Sequence, residues 1–336
     1  MAYETGTATD IADLISKLST FAVANGWTED RRDSGNGIIG LSKNSVFVSG
    51  RWDPASHDML SLHQANAILP SSGTEPGDVA SDSGNGYNTT SSHANTVLDD
   101  ERHVELGPGP YPSYYFFEND SGPAYIHIVV ETSTDSFVHF GFGEIDKVGD
   151  GWTGGEYVYG HNRGFTQWVS TGNTHLLSGV TDATNPSLIA QNATIRISGF
   201  PNQPVGTVWG MVSGSARLDA RQGTDSAANA RVGVQGGFQA GPFSSPWGVF
   251  PASKTSGLIP MYSIGLFYCN NDTENHAYFL GWQADVRGVN IRGIAPKEEI
   301  VIGSDTWVIF PQTKRNTAAS IDNSTYSGVA YKKVTA

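Results

Sequence analysis

The rhythm of the apolar residues constrains this chain most. From residue 37 onward they recur at every second position in short runs, and the runs stop at Gly, Asn, Ser or Pro. A period of two is that of a strand with one covered face, and the interrupting residues are those that turns select. With 40 Gly among 336 residues, such punctuation suits many short strands and excludes a long helical bundle. Hydrophobic residues make up 38% of the chain and are spread along it, enough for a sizeable core. The expected fold class is mainly β: antiparallel sheets, sandwich- or barrel-like, with one N-terminal amphipathic helix and long Gly/Pro/Ser-rich loops.

The helix comes first. Ile11, Leu14, Ile15, Leu18, Phe21 and Ala22 recur at three- and four-residue spacing and form one apolar stripe. Thr7 with Asp10, or Thr9 alone, supplies its cap, and Asn25-Gly26 its left-handed stop. A helix this short must dock its stripe on something. Residues 37–41 and 45–49 then read as strands, while 55–69 fits a loose helix or a strand. Residues 70–96 carry almost no large apolar residue and read as a long surface loop.

The strongest hairpin joins Ala124–Glu131 to Phe137–Phe142, both rich in β-branched and aromatic residues, through a turn at 132–136. Pro108-Gly109-Pro110-Tyr111-Pro112 leads into it as a rigid extended entry. Tyr157-Val158-Tyr159 is strand-like. Later strands are expected at 193–198, 205–212, 231–235, 261–269, 277–284, 298–302 and 306–310. Two aromatic stretches, 108–117 and 236–260, are candidate arms for contacts between subunits; for 236–260, with Phe238, Phe243, Trp247 and Phe250, an ordinary loop whose aromatics cover the chain's own core fits equally. The organisation expected is residues 1–185, the helix plus a β-rich region with the 70–96 loop, then residues 190–336, a second β-rich region. The whole also fits a single domain.

Charge removes one class of partner. Asp plus Glu number 33 against 20 Lys plus Arg, a net charge of −13, and the densest basic spots are only Arg31-Arg32, Lys314-Arg315 and Lys332-Lys333. Duplex binding needs a clustered basic surface, so no nucleic acid is expected. No apolar run approaches the ~18 residues of a membrane span, and the first residues lack the basic and apolar regions of a signal peptide. No membrane partner is expected, and synthesis is expected in a cytoplasm. The lone Cys269 lies in an apolar run and reads as a small core residue with an inert thiol.

Catalytic signatures are missing. There is no Gly-Lys pair for a phosphate loop, no Gly-x-Ser-x-Gly elbow, no Cys-x-x-Cys and no His-Glu-x-x-His. His127 and His139 have matching parity on the two arms of the hairpin, Glu131 shares that face, and His161 follows close by. Two imidazoles and a carboxylate suit a metal; equally, they suit hydrogen-bonded imidazoles on an aromatic sheet. Glu131, Glu144, Asp146, Asp150 and Glu156 fall together around the hairpin, where two acids at ~5–10 Å would serve glycoside hydrolysis. Trp152 and Trp168 suit sugar stacking. In so acidic a chain, solvated turn residues account for these acids as well.

Three segments carry a resemblance. They are the opening helix ending in Asn25-Gly26-Trp27; Tyr125-Ile126-His127-Ile128-Val129-Val130-Glu131 with Phe137-Val138-His139-Phe140-Gly141-Phe142-Gly143-Glu144 and Trp152-Thr153-Gly154-Gly155; and residues 289–303 with Trp307-Val308-Ile309-Phe310-Pro311 and the ending Gly328-Val329-Ala330-Tyr331-Lys332-Lys333. They resemble segments of tail- and neck-associated virion proteins of tailed bacteriophages and cover about a third of the chain. The resemblance implies a structural virion component of the neck or collar, tail or baseplate, made in the bacterial host cytoplasm. Its partners would be copies of itself and neighbouring virion proteins. No catalytic, cofactor-binding or metal residue is assigned. The alternative is a virion protein that binds a host-surface glycan or receptor, using Trp27, Trp52, Trp152, Trp168, Trp209, Trp247, Trp282 and Trp307. A glycan-degrading enzyme comes third.

Overall fold

A computed structural model describes residues 2–52, 59–65, 102–119, 121–160, 193–198, 208–213, 231–235, 259, 261–269, 277–291, 293–311 and 327–333. The chain opens on strand β1 (Ala2–Ala8), followed by helix α1 (Ile11–Ala24). Next come β2 (Thr28–Asp33), β3 (Ile38–Lys43), β4 (Val46–Trp52), β5 (Met59–Ala65) and β6 (Arg102–Glu105), which make a five-stranded antiparallel sheet in that order. The ambiguous stretch around residue 60 is therefore a strand.

The remaining strands belong with β1 in one larger sheet. They are β7 (Tyr111–Glu118), β8 (Tyr125–Ser133), β9 (Ser136–Glu144), β10 (Asp146–Lys147), β11 (Thr153–Tyr159), β12 (Ala193–Ser198), β13 (Val208–Ser213) and β14 (Arg231–Gln235). After these come β15 (Met261–Cys269), β16 (Ala277–Asn290), β17 (Glu298–Ile302), β18 (Asp305–Pro311) and β19 (Ser327–Lys333). The path runs β1-β7-β8-β9-β11-β12-β13-β14-β15-β16-β19-β18-β17, with β10 attached to β16. All its pairings are antiparallel except β13 with β14. Among the described residues the chain is mainly β with antiparallel sheets and one helix, as its sequence rhythm requires.

The large sheet turns back over itself, and this makes layers. Its first part, β1-β7-β8-β9-β11, is the middle layer, and both of its faces are covered. On one face Tyr114, Phe116, Ile126, Ile128, Val130, Phe140 and Phe142 pack against α1 and the five-stranded sheet, through Leu14, Leu18, Phe21, Leu41, Val48 and Trp52. On the other, Tyr115, Phe117, Val129 and Tyr159 pack against Leu266, Val286, Val308, Phe310 and Tyr331 of the returning part. A strand buried on both faces loses the alternation of a half-buried one. This explains the unbroken run Tyr114-Tyr115-Phe116-Phe117. It also corrects the reading of 108–117 as an arm for neighbouring subunits, because those four rings fill this chain's own core. The aromatic stretch 236–258, the 70–96 loop and the boundary region near 180–192 lie outside the described residues.

Local signals set most element ends. The helix cap is Asp10, whose carboxylate accepts from Asp13 N at 2.8 Å, in place of the expected Thr7 or Thr9. Asn25 ends the helix, Gly26 takes φ +82°, and Trp27 N donates to Ala22 O at 3.0 Å while Gly26 N donates to Val23 O. That pair of bonds is a Schellman stop. The expected stripe Ile11, Leu14, Ile15, Leu18, Phe21 and Ala22 is buried throughout. Two-residue loops close three hairpins: Asn44-Ser45, Thr134-Asp135 and Gly303-Ser304, with Asn44, Asp135 and Gly303 at positive φ. β16 runs past its expected end at 284. It bends at Asp285 (φ +53°), where the register to β15 shifts, and its second half pairs with β19. At Gly281 a Cβ would lie 2.2 Å from Asp146 O, so only glycine lets β10 pair there.

Candidate functional site

The sequence marked the β8–β9 hairpin, and the structure puts the densest buried polar chemistry there. Opposed residues on the two strands sum to a constant number, as Val129↔His139 and His127↔Gly141 show. His127 and His139 are therefore diagonal neighbours on one face, as their parity requires. That face is the one turned toward the returning part of the sheet, and both rings are fully buried.

Each imidazole bridges layers. His127 Nε2 lies 3.3 Å from Ala284 O on β16, and its Nδ1 lies 3.0 Å from the Tyr159 hydroxyl on β11. His139 Nε2 lies 3.0 Å from Pro311 O on β18, and its Nδ1 lies 2.9 Å from the Tyr331 hydroxyl on β19. A carbonyl only accepts, so each Nε2 carries a proton, and in a neutral ring Nδ1 then accepts from the phenol. His139 stacks on Tyr331 with ring centroids 5.8 Å apart, and His127 stacks on Tyr125 at 4.4 Å. The Tyr125 hydroxyl donates to Asp285 at 2.7 Å, at the bend of β16. Burial lowers the His127 pKa to about 3, against a smaller upward pull from the Ala284 carbonyl. Burial also raises the phenols of Tyr125, Tyr159 and Tyr331, so all three stay protonated near neutral pH.

The carboxylates are tied in the same way. Glu131 shares the face of His127, as expected, but it holds Lys297 of the returning part at 3.1 Å and accepts from the Ser113 hydroxyl and Asp135 N. Burial acts to raise its pKa; these three donors outweigh burial and leave it lowered. On the opposite face, Lys43 of β3 pairs with Glu118, whose burial raises it against the pull of that ammonium. Glu144 and Glu156 lie opposite each other across β9 and β11. These two of the five acids are brought together, yet each has a partner: Glu144 accepts from the Ser45 hydroxyl, and Glu156 holds Arg196 through two bonds, one of 2.6 Å. Asp146 and Asp150 are exposed.

Among the described residues no group of three metal-type ligands converges, and Glu131 is committed to Lys297. His161 and Trp168 lie outside the described residues. Trp27, Trp52, Trp152 and Trp307 are core residues, none more than 6% exposed, so these four offer no open face to a sugar. Trp27 packs edge-on against Phe142, and the Lys147 ammonium covers Trp152 at 5.1 Å. The side chains of Trp209, Trp247 and Cys269 are outside the description. Sequence reasoning missed Tyr331 and Asp285. Tyr331 lay inside a quoted segment without a role, and nothing local marks Asp285 as the residue at a bend. No protein-family model matches the chain, and no curated protein matches it.

Proposed function

We propose that this chain is a non-enzymatic structural component of a tailed-phage virion, belonging to the neck or collar, tail or baseplate. It works by contact with copies of itself and neighbouring virion proteins. One observation carries the reading: His127, His139, Glu131, Glu118 and Glu144 of the middle layer brace it to the layers on either side. His127 reaches β16, His139 reaches β18 and β19, and Glu131 reaches Lys297. In the other direction Glu118 reaches Lys43 and Glu144 reaches Ser45. A reactive site keeps a nucleophile or base poised for a substrate atom. Here imidazoles and carboxylates hold one layer against the next, which suits a part that must keep its shape under load. The resemblance of the helix, hairpin and C-terminal segments to phage tail and neck proteins agrees with it.

The test is direct. Mass spectrometry of purified, nuclease-treated particles should find the chain at a fixed ratio to the major virion proteins, and antibody labelling should place it at the neck or along the tail. Intact, infectious particles that lack the chain would overturn the reading. Saturable substrate turnover by the pure protein, lost on changing Glu144 or Glu156, would favour the glycan-degrading alternative.

A further inference from the structure

We propose that the fold-back of the large sheet is an acid-operated joint: protonation of His127 separates the returning part from β8 and β11 at the bend of β16, while α1 and the five-stranded sheet stay docked on the other face of the middle layer. A one-sided release of this kind goes beyond the bracing role given to these groups above.

The seam at this bend buries polar groups that water would satisfy better. Gln283 of β16 is fully buried beside the Tyr157 hydroxyl of β11, near enough to oppose the burial that raises that phenol. Among the described residues, neither atom of the amide nor the hydroxyl completes a hydrogen bond. Buried groups left in this state favour any opening that returns them to water. Two residues on, Asp285 takes φ +53°, a conformation that few non-glycine residues adopt. The backbone resists opening only weakly. Among the described residues the ladder across the fold-back is β10 with β16, two residue pairs long and extended by Val148 N donating to Leu280 O at 2.9 Å. The rest of the seam is side-chain contact.

His127 supplies the acid sensitivity. Its Nε2 is committed to Ala284 O of β16 and its Nδ1 to the Tyr159 hydroxyl. The titratable groups that face the ring are phenols: Tyr125 of its own strand, Tyr157 and Tyr159 of β11, and Tyr331 of β19. On β7 and β9 its neighbours are Phe117 and Gly141. β16 also brings Asp285, whose carboxylate accepts from the Tyr125 hydroxyl and lies 3.9 Å from the Lys332 ammonium. Among the described residues no carboxylate is thus placed to compensate an imidazolium, and burial holds the closed ring neutral. In the open joint the ring meets water and takes its proton at an ordinary pH.

Acid acts in the opposite sense on the other face. Glu118 ties the middle layer to Lys43 of the five-stranded sheet, and burial raises its pKa. That interface holds its proton more tightly closed than open, so it gains stability as pH falls. The Glu131–Lys297 tie across the joint has a lowered carboxylate pKa, so its contribution is present above pH 4.5 and is lost as pH falls further. Proton uptake therefore weakens one face of the middle layer and strengthens the other.

The experiment uses the full chain in a Cys269→Ser background. Ile128 and Val129 are neighbours on β8 that face opposite sides of the middle layer, Ile128 toward the helix and Val129 toward the returning part. Val129→Cys and Ile128→Cys are labelled with a pyridyl disulfide, which reacts with thiols in acid, and each rate is divided by that of the urea-unfolded chain at the same pH. With a pKa of about 3 closed and about 6.5 open, the normalised rate at position 129 should rise about 25-fold from pH 7 to pH 5. The rate at position 128 should change less than about threefold over the same range. Adding His127→Asn should flatten the rise at 129. Adding Gln283→Leu, which removes the unpaired amide, should slow labelling at 129 at least about fivefold at pH 7. Equal rises at the two positions, no rise at 129, a rise that survives His127→Asn, or faster labelling with Gln283→Leu would each overturn the joint.

Discussion

At the scale of the residue, His127 makes the sharpest prediction. Its ring is buried and neutral in the folded chain, with a pKa lowered to about 3, while an imidazole in the unfolded chain titrates near 6.5. As pH falls, the unfolded state takes up the proton first, so the stability present above pH 6.5 is lost progressively between 6.5 and 3. Between pH 7 and pH 5 this one group should remove about 2 kcal/mol, read as a drop in the urea midpoint at constant slope. A His127→Asn variant should show a flatter profile over that window. Identical profiles for variant and wild type would mean that other groups carry the acid sensitivity. The parity that puts His127 beside His139 was legible in the sequence, because it depends only on the turn. Their acceptors, Ala284 O and Pro311 O, were not, because those carbonyls come from strands more than 150 residues away.

At the scale of the element, packing and local capping contribute separately to α1. Asp10→Ala removes the side chain that caps Asp13 N and should cost about 1 kcal/mol. Leu14→Ala opens a cavity between the helix and the middle layer and should cost roughly 2–5 kcal/mol. Thermal or urea unfolding of the two variants orders them; a larger loss from Asp10→Ala would mean that docking is not what holds the helix. The stripe, the Schellman stop and the central hairpin were legible because each is written within a few neighbouring residues. β2, with the sequence Thr-Glu-Asp-Arg-Arg-Asp, was not: it is an edge strand without apolar alternation, held by its ladder to β3. β1 was missed for a related reason. It is the opposite edge of the large sheet from β17, and only its partner β7 makes it a strand.

At the scale of the whole molecule, the order of strands governs how the layers close. β19, last in sequence, sits between β16 and β18 in space. Among the described residues the β17–β18 hairpin thus joins the sheet through β19 alone, and the ring of Tyr331 that braces His139 arrives with that strand. A chain ending before Ser327 should lose the ladder that ties the β17–β18 hairpin to β16, together with the packing of Phe310 and Tyr331 on Phe117. It should show reduced near-ultraviolet ellipticity and soluble yield. Native-like spectra and stability from that truncation would show that the C-terminal strand is dispensable. Because so many pairings join distant segments, refolding is expected to be slow for a chain of this size.

By itself, the sequence determined the class of structure: period two, dense turn residues and one 3.6-period stripe leave little besides antiparallel strands and a docked helix. Those patterns are local, and the backbone reads them over a few residues. Only the tertiary structure decided that one sheet folds back on itself, that Tyr114-Tyr115-Phe116-Phe117 lies inside it, and that the imidazoles join layers. Burial on two faces erases the alternation that would announce it, and a hydrogen bond between distant strands leaves no mark on the order of the residues that make it.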